Sequence, residues 1–194
     1  MNRPARGSDL LCAMSDGTQQ VRDEYLALGL RHGDPAAFAE LVRAFERPLL
    51  YYLTKLVGAD AALDVLQDTW VAAFRAAGRL DEPGRLRPWL YRIARGRAID
   101  RVRKDRSEDR LRQAHAEEVT TAADEEPAFG PDDAAAIHRA LDALDVRHRE
   151  VLVLHFLEAM PVADVAGVVG CPEGTVKSRI YHAKRALRAA LRDE

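Results

Sequence analysis

Three sets of residues in this chain have the types and spacing to bind charged partners. Asp64, Gln67 and Asp68 fall three and four apart, so a helix would carry them on one face. There they offer carboxylate and amide oxygens to the arginines of a partner helix. From Trp89 to Arg103, arginines stand at positions 92, 95, 97, 101 and 103 among aromatic and aliphatic residues. Guanidinium groups so arranged bind phosphates, and aromatic and guanidinium planes hold unstacked bases. The third set is Lys177, Arg179, Lys184, Arg185, Arg188 and Arg192, which follows a tight Gly170-Cys171-Pro172 turn. Two short helices joined by a turn of about three residues containing glycine have the size of a helix-turn-helix, whose second helix enters the major groove.

None of these sets is a catalytic constellation. The chain contains no HExxH, P-loop or GxSxG pattern and no clustered carboxylates, so neither an enzyme nor a cofactor is expected. His138, His148 and His155 lack metal-ligand spacing, and Cys12 and Cys171 are far apart with no CxxC, so no metal site and no disulfide framework are expected. Cys171 reads as a small structural residue of the turn, and a reducing cytoplasm is the expected compartment. Apolar runs such as Val151 to Leu154 are too short to span a bilayer, and Leu10 to Met14 is too short for a signal-peptide core, so no membrane insertion is expected.

Helices must position the three sets. Alternating strand-like runs are missing, and an all-α fold of two small helical domains joined by a flexible linker is predicted. Residues 1–24 lack periodicity and read as a disordered lead-in, within which Met14 is an alternative start. The first domain is placed at 25–106, the acidic linker at 107–132 and the second domain at 133–194. Asp34-Pro35 opens a helix whose Phe38, Leu41, Val42, Phe45, Leu49, Tyr52, Leu53 and Leu56 form one stripe that continues through Pro48. Gly58 closes it, and Asp60 is expected to cap the next helix, with Leu63, Leu66, Trp70, Phe74 and Ala77 inward. A third helix is predicted from near Pro88 to Val102, and four shorter ones over 133–144, 147–158, 161–169 and 172–192.

The formal net charge of -2 conceals strong polarity. Arg85 to Arg106 holds nine basic residues against two acidic ones, and Ser107 to Asp133 holds nine acidic residues against two basic ones. A basic stripe of this kind displaces phosphate counterions even when the whole chain is near neutral.

Two ordered blocks resemble the extracytoplasmic-function (ECF) class of bacterial sigma factors. Asp64-Val-Leu-Gln-Asp-Thr-Trp70 followed by Trp89-Leu-Tyr-Arg-Ile-Ala-Arg-Gly-Arg-Ala-Ile-Asp-Arg-Val-Arg103 is similar to their region 2. Arg149 to Leu154, Asp164-Val-Ala166 and Pro172 to Arg179 are similar to their region 4. The resemblance implies a transcription initiation factor that binds core RNA polymerase, at the clamp of the largest subunit and the flap of the second-largest. It implies recognition of promoter DNA at −35 and −10 elements, help in melting the latter, and restraint by an anti-sigma factor. By it, Asp64, Gln67 and Asp68 dock on the clamp coiled coil. Trp89, Arg92, Arg95, Arg101 and Arg103 contact the −10 element, with a core role for Trp89 equally open. Lys177, Ser178 and His182 read the −35 element, flanked by Glu173, Thr175, Arg179, Tyr181 and Arg185, while Val176 and Ile180 face inward. The chain departs from the usual pattern at Gly96 and Arg97, where the family commonly has asparagine and leucine.

The rival reading is a helix-turn-helix regulator that is not a polymerase subunit. It predicts a dimer on palindromic sites, whereas a sigma factor predicts a monomer on asymmetric ones. The Asp64 to Trp70 block speaks against it.

Overall fold

Local signals set most of the helix ends. The structure, a computed structural model, describes residues 7–113 and 132–191, with side chains over 18–106 and 136–191. Among the described residues every regular element is helical: α1 (Gly7–Arg31), α2 (Pro35–Val57), α3 (Ala59–Ala76), α4 (Leu86–Gln113), α5 (Asp132–Asp142), α6 (Val146–Leu152), α7 (Val162–Val169) and α8 (Glu173–Ala190). Asp34 accepts a hydrogen bond from the Ala36 amide at 2.9 Å, and Pro35 takes the first helical position of α2. α2 runs on through Pro48 and ends at Gly58, whose φ of 83° is open to glycine at little cost. α3 begins immediately afterwards without a side-chain cap, so Asp60 sits in its first turn rather than at its cap. A carboxylate there still complements the helix dipole.

One expectation about extent is corrected. The lead-in is helical from Gly7, as α1. Its Asp23, Leu26, Ala27 and Leu30 are buried, and its packing on α2 is close enough that a Cβ at Gly29 would lie 2.5 Å from that of Ala37. α4 continues to Gln113, so the first residues of the segment read as linker are helical, and residues 114–131 lie outside the described residues.

The α3 stripe is also rephased. Its buried residues are Ala61, Ala62, Val65, Leu66, Thr69 and Ala73, whereas Leu63 and Phe74 are exposed. Small residues on that face let α3 lie close to its neighbours.

The second unit builds its core from Leu141, Leu144, Val151 to Leu154, Met160, Val165, Val168, Val176, Ile180 and Ala183. Asp145 caps α6 by accepting from the Arg147 amide at 2.9 Å. α6 passes directly into a π turn over Val153–Leu157, in which the Glu158 amide donates to the Val153 carbonyl at 3.0 Å.

The two units pack on each other, α4 against α7 and α2 against α6. Glu150 is buried between them, accepting from Arg95 Nε at 2.8 Å and from the Tyr52 hydroxyl at 3.0 Å. Lys55 Nζ lies 2.6 Å from Asp142, and an Arg149 guanidinium nitrogen donates to the Lys55 carbonyl at 2.9 Å. The Tyr51 hydroxyl lies 2.8 Å from His138 Nδ1, and burial with the nearby Asp142 charge pushes its pKa up to about 12. Burial does the same more strongly to Tyr52, reinforced by Glu150.

Candidate nucleic-acid interface

α8 is aimed by the turn before it. Gly170 adopts the left-handed conformation, φ 70° and ψ 40°, and its amide donates to the Ala166 carbonyl at 2.9 Å, closing α7. Pro172 then starts α8, whose Val176 and Ile180 are buried as the expected inward face, with Ala183 buried beside them. Lys177, Ser178, Tyr181, His182 and Arg185 are exposed together with Glu173, and Thr175 and Arg179 are half-buried beside them. The eight expected −35 residues therefore share one helix, five of them spread along its outer side over 177–185. α8 holds five basic residues to one acidic, and that acid, Glu173, lies 3.9 Å from Lys177. Exposed cations along a helix that follows a tight turn suit phosphate contact, and the hydroxyl, imidazole and amine groups suit base edges.

Sequence reasoning missed one feature here. Lys184 Nζ stands 4.4 Å from the ring centre of Phe156, which the π turn leaves half-exposed. No local pattern marks Phe156, because its direction follows from the extra residue in that turn.

Along α4 the expected −10 residues do not form one free surface. Arg92 and Arg103 are exposed. Arg95 is engaged by Glu150, and Arg101 pairs with Asp105 at 2.9 Å and with Asp64 at 3.6 Å. Trp89 is 8% exposed and belongs to the core, the other of its two anticipated roles. Tyr91 is buried beside Glu158 and its hydroxyl meets no partner in hydrogen-bond geometry, yet the two groups are near enough to act on each other's charge. Burial raises the Tyr91 pKa, and it raises that of Glu158 too, against the opposing pull of Arg87. Gly96 lies mid-helix with open space where a Cβ would stand, and Arg97 is exposed and 3.6 Å from Asp100.

On α3, Asp64, Gln67 and Asp68 are all exposed, next to exposed Leu63, Val71 and Phe74. Phe38, Trp70, Val71, Phe74 and Arg75 line an open apolar cleft, with Phe38 edge-on to both Phe74 and Trp70 at 5.2 and 6.3 Å. Among the described residues no group of three or more His, Cys, Asp or Glu is placed to hold a metal ion, and no helix is long and apolar enough to cross a membrane.

Residues 41–108 match the family described as Sigma-70 region 2, and residues 134–187 match Sigma-70, region 4. The chain is 35% identical over 177 residues to the ECF RNA polymerase sigma factor SigM of Mycobacterium tuberculosis, covering 90% of this chain and 87% of that protein. It is 29% identical over 175 residues to SigW of Bacillus subtilis, covering 84% and 94%. Among solved structures it is similar to the sigma factor RpoE in its co-crystal with the anti-sigma factor NepR from Bartonella quintana, with a TM-score of 0.68, 25% identity and coverage of 80% and 96%. It is also similar to CnrH in complex with the cytosolic domain of CnrY, with a TM-score of 0.62, 28% identity and coverage of 89% and 99%. With both regions present in order and relatives matched nearly end to end, the chain belongs to the ECF class of sigma factors, and is a polymerase-binding transcription initiation factor and not an enzyme.

Proposed function

We propose that the outer face of α3, with Asp64, Gln67 and Asp68 at its centre, docks on core polymerase, that α4 contacts the −10 element and that the outer face of α8 reads the −35 element. The observation that carries this is the make-up of the α3 face, where exposed carboxylates adjoin exposed Leu63, Val71 and Phe74. A merely solvated helix face has no use for three large apolar residues beside its acids, whereas a protein interface uses apolar contact for affinity and charge for register. On α4, Arg92 and Arg103 are exposed for phosphate contact, and Arg95 and Arg101 join them once their present carboxylate partners are exchanged. On α8, Lys177, Ser178 and His182 meet base edges, with Glu173, Thr175, Arg179, Tyr181 and Arg185 around them.

Linking two weak DNA contacts through one polymerase raises the effective concentration of the second. The setting is the cytoplasm, where polymerase and promoter meet. An anti-sigma protein is a further partner of this reading, supported by the RpoE–NepR co-crystal and by the apolar cleft at Phe38, Trp70 and Phe74.

The test is run-off transcription with purified core polymerase on a promoter library, comparing the wild type with Asp64→Ala/Gln67→Ala. Promoter-specific transcripts that require the protein and fall on the order of tenfold or more in the variant are expected. DNA binding with no specific initiation by the wild type would overturn the reading.

A further inference from the structure

One position on the exposed ridge of α4 is bare. Arg92, Gly96, Ile99 and Arg103 follow one another at spacings of four, three and four, so they form a single row along the helix. Arg92 and Arg103 are exposed and Gly96 and Ile99 half-buried, and the row lies on the side of α4 away from the buried Leu90, Ala94 and Ala98. Glycine is the poorest helix former after proline. A Cβ at Gly96 would meet no atom of the described residues within 4 Å. Neither helix propensity nor packing inside the protein accounts for this glycine. Its effect is a notch, in which helix backbone is laid open between two cations with the aliphatic Ile99 beside it.

We infer that this notch seats one unstacked base of the opened −10 strand flat against the helix backbone, with the phosphates on either side held by Arg92 and Arg103. This rests on the reading of α4 as the −10 helix and adds to it a position and a ligand class. Glycine is the residue that lets a ligand approach a backbone most closely. Any larger residue, the asparagine common in the family included, would fill the notch.

The spacing of the arginines and the chemistry of the floor fit a base. Arg92 and Arg103 stand about 16 Å apart along the axis, at about 1.5 Å per residue. A stacked strand covers that length in about five nucleotides, at about 3.4 Å each, and an unstacked one in fewer. A strand gripped at both arginines therefore passes over Gly96. There the aliphatic Ile99 gives a bared base face a surface that excludes water. Asp100, exposed four residues beyond Gly96, disfavours a phosphate at the same spot. Its carboxylate, 3.6 Å from Arg97, is an acceptor suited to the amino edge of a base.

The experiment uses holoenzyme assembled from purified core polymerase and the full chain, as wild type, Gly96→Ala, Gly96→Leu and Arg92→Ala/Arg103→Ala. Gly167→Ala is the control, because Gly167 also lies within a helix, α7, with open space where a Cβ would stand. The probe is a fluorescent single strand carrying the non-template −10 segment of a promoter selected by run-off transcription, intact or with one base at a time removed. We expect Gly96→Ala and Gly167→Ala both to unfold at higher temperature than the wild type. Strand affinity should fall about threefold in Gly96→Ala and about tenfold in Gly96→Leu, the order of one lost base contact, and stay at the wild-type value in Gly167→Ala. Removing the seated base should weaken the wild type about tenfold and leave Gly96→Leu nearly unaffected, because base and added side chain compete for one place. If Gly96→Leu does not fold, Gly96→Ala carries the same comparison. Gly96 variants that bind the intact strand as tightly as the wild type, or in which every base removal costs what it costs the wild type, would overturn the inference. The arginine variant separates this from the functional reading. Strand binding lost there and kept in the Gly96 variants sinks the notch alone, whereas binding kept in every variant sinks the reading of α4 beneath it.

Discussion

α3 and α8 are both helices of 18 residues, yet they turn opposite kinds of surface outward. α3 exposes carboxylates and large apolar side chains together, while α8 buries Val176, Ile180 and Ala183 and exposes cations and hydroxyls. The difference teaches what each partner demands. A protein partner rewards apolar contact that excludes water, with charges around it to set register. Duplex DNA presents a hydrated polyanion, so apolar side chains are better spent holding the reading helix in place.

The largest effect expected from that contrast lies within α3 itself. Leu66→Ala empties a buried site and should cost about 3 kcal/mol of stability, whereas Phe74→Ala, on an exposed side chain, should cost under about 1 kcal/mol. Denaturant unfolding checks both, and transcription should invert the order per unit of stability, with folded Phe74→Ala losing polymerase binding. Equal destabilisation by the two would return Phe74 to the core and erase the contrast.

A smaller effect belongs to α4, between the two faces. Gly96 has open space where a Cβ would stand, so Gly96→Ala should stabilise the protein by about 1 kcal/mol in thermal unfolding. Destabilisation instead would mean that the glycine is needed for close approach, which the folded helix does not show.

The smallest concerns pH. Burial raises the Glu158 pKa above its ordinary value of 4.5, with the opposing Tyr91 and Arg87 influences weaker. The folded state therefore holds this proton more tightly than the unfolded state. The stability it lends is full below the ordinary value and is lost as pH rises through the raised one. Wild type should accordingly gain stability over Glu158→Gln on acidification from pH 7 toward that range, measured by urea unfolding at each pH. A difference independent of pH would assign Glu158 an ordinary pKa.

What was legible in the residues was whatever is decided locally. Asp34, Gly58 and Gly170 mark helix ends through contacts within a few residues, and Val176 and Ile180 declare an inward face by their spacing. α3 misled because its buried side is made of Ala62, Thr69 and Ala73, which score weakly as core, while Leu63 and Phe74 score strongly and lie outside. α1 was missed because its anchoring residues, Leu26, Ala27 and Leu30, are few and follow a stretch without periodicity. The pairing of Arg95 with Glu150 joins residues 55 apart in the chain, and no spacing rule reaches that far.

The π turn at Val153–Leu157 has a consequence for helical phase. A regular helix turns about 100° per residue, so one surplus residue offsets everything after it by roughly that angle. Removing a single residue from 153–157 would restore the ordinary winding and swing Phe156 off the outer side. Lys184 would then lose the aromatic shelf on which it rests, and the reach of α8 would change through a deletion made in another helix.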